Sequence, residues 1–277
     1  MCTPPDTNGK INPAILFAAE LVGVTRIFKV GGAQGIGAMA FGTESIPQVY
    51  KIFGPGNQFV TKAKELIQQE GVAIDMPAGP SEVLIIADET CIPAFVAADL
   101  LSQAEHGPDS QVVLVSNDED VLEQTEKELL IQLDLIPRKE IASKALGNSK
   151  SILCSSIKEC IELSNFYAPE HLIIVADEAD KYVDDIVNAG SVFLGNYSCE
   201  SAGDYASGTN HTLPTNGHAR NCSGVSYDSF IRKITFQKLS AQGLQNIGPA
   251  VELMAEAEGL LAHKNAVTLR LKSLRDV

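Results

Sequence analysis

The chain has 277 residues, 45% of them hydrophobic, which is enough for a sizeable core in one or two domains. Its formal net charge is -14 and its basic residues form no long cluster, so a nucleic-acid or anionic-membrane partner is not expected. No apolar run approaches the roughly 18 residues that indicate a membrane span. The six cysteines are irregularly spaced without a Cys-x-x-Cys pair, which indicates reduced thiols in an intracellular compartment.

The first part of the chain alternates between helical and strand-like patterns. Apolar residues spaced as on one helical face predict a helix that ends at Gly23, and a strand is predicted at 26–30. After a further helix come a strand at 49–53, a helix at 59–69 and a strand at 72–75. This alternation predicts a parallel sheet with crossover helices.

A second series of the same kind follows, and two helices close the chain. The series has strands at 82–88, 111–115, 149–154, 172–175 and 190–195, with helices at 93–103, 118–133 and 157–165. The closing helices, about 242–255 and 259–274, have an apolar face that needs another surface to cover it. We predict an α/β protein with two incomplete Rossmann-like parallel-sheet domains, 1–80 and 81–225, and a C-terminal helical tail, 226–277.

The segment 200–211 has no apolar period of 3.6 or 2, which predicts a loop rather than a regular element. It contains Glu200, Asp204, Asn210 and His211 among small residues. It follows a strand predicted to be buried, and open α/β sheets bind ligands in loops at the carboxyl ends of their strands. A binding site and an ordinary surface loop are both consistent with this pattern.

Two short motifs carry further candidates for chemistry. Gln103 and His106 stand three residues apart on one helical face and could hold one cation, or His106 could only cap helix carbonyls. Glu170 and His171 precede an apolar strand. Adjacent residues of an extended chain point to opposite sides, so we expect separate proton transfers rather than a simple dyad; a plain surface turn is the alternative.

Two glycine-rich segments are candidates for a cofactor. The spacing Gly35-x-Gly37-x-x-Ala40 loosely resembles a dinucleotide fingerprint, but it falls inside a predicted helix. The turn at 54–57 directly precedes a helix N-terminus and is the better candidate. The sequence around His263, in the last predicted helix, indicates an exposed polar residue.

Seven sequence blocks together resemble the histidinol dehydrogenase family, in the order found there. They are GGAQ (31–34), GPGN (54–57), DMPAGPSEV (75–83), SQAEH (102–106), APEHL (168–172), ESAGDYASGTNH (200–211) and EGLLAH (258–263). The resemblance covers essentially the whole chain. DSQVVLV (109–115) and AVTLRL (266–271) make it look closest to the plant and algal form.

The resemblance implies an enzyme of histidine biosynthesis that oxidises L-histidinol to the aldehyde and then to L-histidine, with zinc and two NAD. The zinc ligands would be Gln103, His106, Asp204 and His263, and the acid/base residues Glu170 and His171. The substrate would contact Ser81, Gln103, His106, His171, Asp204, His211, Glu258 and His263, and NAD would contact Gln34 and Asn57. Segment 1–80 would then be the NAD side and 81–225 the zinc and substrate side. The tail would form a homodimer that lends Glu258 and His263 to the neighbouring site.

The resemblance also indicates where this chain departs from the family. A long family segment before the point matched by residues 2–5 is absent here, so we expect this chain alone not to fold into an active dimer. The alternative function is then an inactive binding or pairing module. The hypothesis of a zinc hydrolase is weakened by the absence of the motif H-E-x-x-H. Residues 1–5 do not read as a targeting segment, and plastid stroma or cytoplasm is expected. Unusual residues for the family, which bear on cofactor affinity and loop rigidity, are Gly35, Gly37, Cys199, Asn216 and His218.

Overall fold

The computed structural model describes residues 1–275, and the elements below belong to these residues. They form two compact units, Met1–Phe230 and a second unit that begins at Ile231. The first unit alternates helices with parallel strands, and the second contains a pair of helices. The predicted α/β class with a helical C-terminal end is therefore confirmed. The predicted boundaries at 80 and 225 remain predictions.

A small parallel sheet and its helices form the beginning of the first unit. The elements are α1 (Pro13–Leu21), α2 (Gly32–Phe41), β1 (Lys51–Ile52), α3 (Gln58–Gln68) and β2 (Ala73–Ile74). β1 pairs in parallel with β2, and the two strands share a small core with α2 and α3 that includes Ile36, Ile52 and Ile67. The loose glycine fingerprint lies within α2, as the sequence predicts, and not at a strand-to-helix turn.

The larger sheet follows. Its strands are β3 (Glu82–Ala87), β4 (Gln111–Ser116), β5 (Lys150–Leu153), β6 (His171–Val175) and β7 (Ser191–Leu194). They are parallel and lie in the order β5-β4-β3-β6-β7. Every residue of β3 and β6 is buried, as expected for apolar strands with both faces covered. Glu82 and His171 are the first residues of these neighbouring strands, so both lie at the amino edge of the sheet.

Helices cover both faces of the larger sheet. They are α4 (Pro93–Ala104), α5 (Glu119–Leu133), α6 (Lys139–Gly147) and α7 (Ile157–Tyr167). Val83 and Ile85 of β3 share one core cluster with residues of α4, α5 and α6, whereas Leu84 and Ile86 share the other with residues of α7. Because α4 runs back from the carboxyl edge of the sheet, its last residues return to the amino edge, where Glu82 and His171 lie.

Short elements and the second unit complete the chain. They are 3-10 turns at Ala179–Asp185, His218–Arg220 and Tyr227–Phe230, and helices α8 (Glu200–Tyr205), α9 (Ala241–Ala257) and α10 (Leu261–Ser273). α9 packs on α10, and Gly248 lets Leu271 approach the α9 backbone, since a Cβ there would lie 2.8 Å from the leucine side chain. Within residues 1–275, no helix is both long enough and apolar enough to cross a bilayer.

Two sequence predictions of secondary structure are wrong, and one helix was not predicted. The predicted strand at 26–30 is only an isolated bridge between Phe28 and Cys2. The predicted loop at 200–211 begins with α8, which has no apolar period because its buried residues are Glu200 and Gly203. Helix α6 was not predicted at all.

Candidate functional site

A small cavity of about 150 Å³ lies in the first unit and gathers most of the predicted site residues. Those that line it are Ser81, Gln103, His106, Glu170, His171, Asp204 and His211, together with Glu200. They come from the loop before β3, from the end of α4 and the residues just after it, from the junction at the start of β6, and from α8 and the loop that follows it. The cavity is therefore built at the amino edge of the sheet, and the prediction of a site at the carboxyl end of a strand is wrong.

A hydrogen-bond network across the β3–β6 edge positions the predicted acid/base residues. The Glu82 backbone N–H donates to Glu170 Oε2 at 2.9 Å, and His171 Nδ1 lies 3.1 Å from the Glu82 carbonyl oxygen. Because a carbonyl can only accept, Nδ1 carries the proton in this bond and Nε2 is the free acceptor. His171 Nε2 is buried and has no hydrogen-bond partner among residues 1–275.

Glu170 and His171 do not point to opposite sides, so that part of the sequence prediction is wrong. Glu170 precedes β6, and its carboxylate turns back until Oε2 is 3.7 Å from His171 Nδ1. This separation is too long for a hydrogen bond, and Nδ1 bonds to the Glu82 carbonyl instead. The two residues thus face one cavity without forming a hydrogen-bonded dyad.

Burial controls the protonation of this network. Burial raises the pKa of Glu170 to about 8, the nearby charges of Glu82 and Asp204 add to this, and the bond from the Glu82 N–H opposes it. Burial likewise raises the pKa of Glu200 to about 9, with the negative charges of Asp204, Glu170 and Asp99 acting in the same direction. Burial also lowers the pKa of His171. In the polypeptide alone, both glutamates are therefore mainly protonated and His171 is neutral at pH 7.

α4 and α8 present a second group of side chains to the cavity. Gln103 is fully buried near the end of α4, and His106 follows the helix at an exposed position. Asp204, on α8, is half-buried. The Gln103 amide is assigned with its nitrogen toward Glu200, since the opposite assignment would set acceptor against acceptor.

The cavity contains donor atoms suited to a cation. Among residues 1–275, ligand atoms of His171, Glu200 and Asp204 all lie within 4.8 Å of one another. Of the predicted zinc ligands, this set includes only Asp204. Two other predicted ligands, Gln103 and His106, line the same cavity, and Gln103 contacts Glu200.

Four predicted site residues lie elsewhere. Gln34 is exposed on α2, and Asn57 caps α3 by accepting from the Phe59 and Val60 N–H groups; neither lines the cavity. Glu258 and His263 belong to the second unit, at the end of α9 and near the start of α10.

Glu200 is a cavity residue that the sequence analysis did not assign to the site. It stands four residues before Asp204, a spacing that places both carboxylates on one face of a helix. That signal could have been used only if the segment had been predicted to be helical.

Comparison with known proteins decides the family. The family model described as "Histidinol dehydrogenase" matches residues 1–271. The chain belongs to the histidinol dehydrogenase family. Its structure superposes on the crystal structure of histidinol dehydrogenase from Elizabethkingia anophelis with a TM-score of 0.96 and 66% sequence identity, over 99% of this chain and 63% of that one.

Sequence relatives include bacterial and plant proteins. Histidinol dehydrogenase from Bacteroides fragilis (strain YCH46) is 63% identical over 99% of this chain and 64% of its own length. The chloroplastic histidinol dehydrogenase from Arabidopsis thaliana is 57% identical over 99% of this chain and 59% of its own length. The likeness to a plant form is present, although the bacterial relative is more similar. The chain spans about three fifths of the length of these relatives.

Proposed function

We propose that this chain carries the zinc and substrate cavity of an enzyme that oxidises L-histidinol to L-histidine through the aldehyde, with two NAD, in histidine biosynthesis. The proposal rests on one observation. Three of the four side chains proposed to bind zinc, and both proposed acid/base residues, line a single cavity although they come from three separate segments of the sequence. Family membership supplies the substrate and the reaction.

The donor chemistry of the cavity fits zinc. Gln103 and Asp204 offer oxygen and His106 offers nitrogen, and Zn²⁺ accepts both kinds of ligand. The partner subunit's His263 would supply the fourth ligand. Zinc, when bound, acts as a Lewis acid that can hold the imidazole and amine of histidinol. Ser81 and His211 line the same cavity and would help to orient the substrate together with the partner subunit's Glu258.

Glu170 and His171 are suited to move the protons that this oxidation releases. The Glu82 carbonyl fixes His171 Nδ1 as the protonated nitrogen, which leaves Nε2 free to accept a proton from the carbinol oxygen. Glu170, with its pKa raised by burial to about 8, can both accept and release a proton near neutral pH. Oxidation to the acid also requires water to be activated for addition to the aldehyde, and a second base serves that step.

NAD binding is assigned to Gln34 and Asn57, outside the cavity. The Asn57 oxygen already accepts from two amide groups at the start of α3, so its NH₂ group is the part left to contact the cofactor. Pro55, in the same turn as Asn57, lines the cavity, which brings this turn to the edge of the substrate site. NAD supplies the hydride acceptor, and the chain supplies its orientation.

The protein is proposed to act as a homodimer. The tail helices would supply Glu258 and His263 to the neighbouring site. The relatives include chloroplastic and bacterial proteins, so plastid stroma or cytoplasm is the proposed location.

The first test combines the substitution His171→Asn with two measurements on the purified protein. Zinc content per chain should be unchanged, and histidinol-dependent NADH formation should fall about 100-fold or more because a general base is lost. His218→Asn is the matched control, since His218 does not line the cavity. Zinc binding without NADH formation in the unmodified chain would indicate an inactive binding module. Absence of both would refute the proposal.

A further inference from the structure

Glu200 is a buried acid whose role the proposed chemistry does not explain. Its side chain is only 2% exposed, and it lies in the first turn of α8, four residues before Asp204. It lines the cavity opposite the end of α4, and its carboxylate is 3.8 Å from His171 Nδ1. A charge-bearing group is rarely buried to this extent without a partner. Its closest polar partner from another helix is Gln103.

The contact between Glu200 and Gln103 fixes an amide. Gln103 has no exposed surface, and in the assigned orientation its amide nitrogen donates to Glu200 Oε2 at 2.9 Å and also contacts Oε1. The terminal torsion of a glutamine has a broad, roughly two-fold profile, so its own preference does not distinguish the two amide orientations. The ionised carboxylate of Glu200, the form that a nearby divalent cation favours, does distinguish them, because it can only accept and therefore bonds to the nitrogen and opposes the oxygen.

This orientation decides whether Gln103 can bind a metal. The nitrogen of a neutral amide is a donor, and only the carbonyl oxygen is an acceptor. Nitrogen and oxygen share one planar carbon, so holding the nitrogen against Glu200 turns the oxygen away from Glu200. A glutamine with the opposite orientation would present N–H groups to a cation and repel it.

We propose that Glu200 is a positioning residue: it holds the Gln103 amide in the one orientation that offers its oxygen to the metal. The inference rests on the proposed function, in which Gln103 is a zinc ligand. Partners that orient metal ligands through hydrogen bonds typically change metal affinity by 10- to 100-fold when they are removed. The role needs an acceptor atom on residue 200, which glutamate supplies when it is ionised and which glutamine supplies through its carbonyl oxygen.

Two substitutions of Glu200 separate this role from direct coordination. Glu200→Leu removes the acceptor and should lower zinc affinity by about 10- to 100-fold. Glu200→Gln keeps an acceptor oxygen at nearly the same place and should keep zinc affinity within about threefold of the unmodified protein. Affinity is measured by competition with a chromophoric chelator, and the visible spectrum of the Co²⁺-loaded protein reports the ligand set. The melting temperature of the metal-free variants shows whether each is folded.

Two controls make the result specific. Glu105→Leu removes a different carboxylate, which is half-buried at the end of α4 and does not line the cavity. This variant should leave zinc affinity unchanged. Gln103→Leu should match Glu200→Leu, and the double variant should be no weaker than either, because both lose the same ligand. Equal loss in Glu200→Gln and Glu200→Leu, with a changed Co²⁺ spectrum, would make Glu200 a ligand and overturn the inference.

The inference can fail independently of the proposed function. If Gln103→Leu weakens zinc binding and Glu200→Leu does not, Gln103 is a ligand that needs no positioning by Glu200, and only the inference falls. If Gln103→Leu also leaves zinc affinity unchanged, the proposed ligand set itself is wrong.

Discussion

At the scale of single residues, the cavity confines two glutamates and one histidine in a space with little access to water. Burial raises the pKa of Glu170 to about 8 and that of Glu200 to about 9, so the polypeptide alone keeps both carboxyls protonated at pH 7. A divalent cation in the cavity would lower both pKa values, since a nearby positive charge favours the ionised form. Binding of such a cation would therefore release protons from these groups.

The effect of burial on the pKa of a carboxyl group can be tested in the metal-free protein at Asp99, which does not line the cavity. Burial raises the pKa of Asp99 from 3.8 to about 6, so the folded state binds this proton more tightly than the unfolded state. The contribution of Asp99 to the free energy of unfolding is fully present below about pH 4 and is lost as the pH rises through about 6. Asp99→Asn should therefore be close in stability to the unmodified protein near pH 4 and be more stable by about 3 kcal/mol at pH 7.5.

Urea unfolding of the metal-free proteins at several pH values measures this difference. Glu126→Gln, at an exposed position of α5, is the control and should show no comparable dependence on pH. A constant difference between Asp99→Asn and the unmodified protein from pH 4 to 7.5 would contradict the expected burial effect.

At the scale of elements, a buried ion pair connects α3 to the small sheet and to the turn that carries Asn57. Lys64 and Asp75 form this pair, with side chains 2% and 0% exposed. Lys64 Nζ also donates to the Gly54 carbonyl at 2.8 Å, and the Gly54 N–H donates to Asp75 Oδ2 at 2.7 Å. Both backbone groups of Gly54 are thus held, which fixes the turn directly before α3.

Removing one partner of this pair should destabilise the fold strongly. Lys64→Met leaves the Asp75 carboxylate buried without a counter-charge, which should cost about 3–5 kcal/mol of unfolding free energy. Lys62→Met is the matched control on the same helix, because its exposed pair with Glu65 should contribute about 1 kcal/mol or less. Chemical denaturation measures both values. Similar losses in the two variants would show that burial does not decide the strength of these pairs.

At the scale of the whole molecule, sequence reasoning predicted the parallel α/β architecture, because buried strands and crossover helices leave distinct periodic patterns. It could not predict α8, since the buried face of that helix consists of a glutamate and a glycine. Gly203 is required there because a Cβ would lie 2.5 Å from the Phe193 ring, a tertiary contact that no local pattern reveals. The role of Glu200 was missed for the same reason.

The proposed exchange of residues between subunits predicts complementation between two inactive variants. Gln103→Leu damages the cavity of its own chain, and His263→Ala damages the site of the neighbouring chain. If each site combines the cavity of one chain with His263 of the partner subunit, a mixed dimer contains one intact site and one doubly damaged site. Random reassembly of equal amounts makes half of the dimers mixed, so about a quarter of the zinc sites should recover. Zinc content and NADH formation after mixed refolding measure the recovery, with each variant refolded alone as the control. No recovery, from dimers shown by sedimentation to have mixed, would place His263 in the site of its own chain or outside the site.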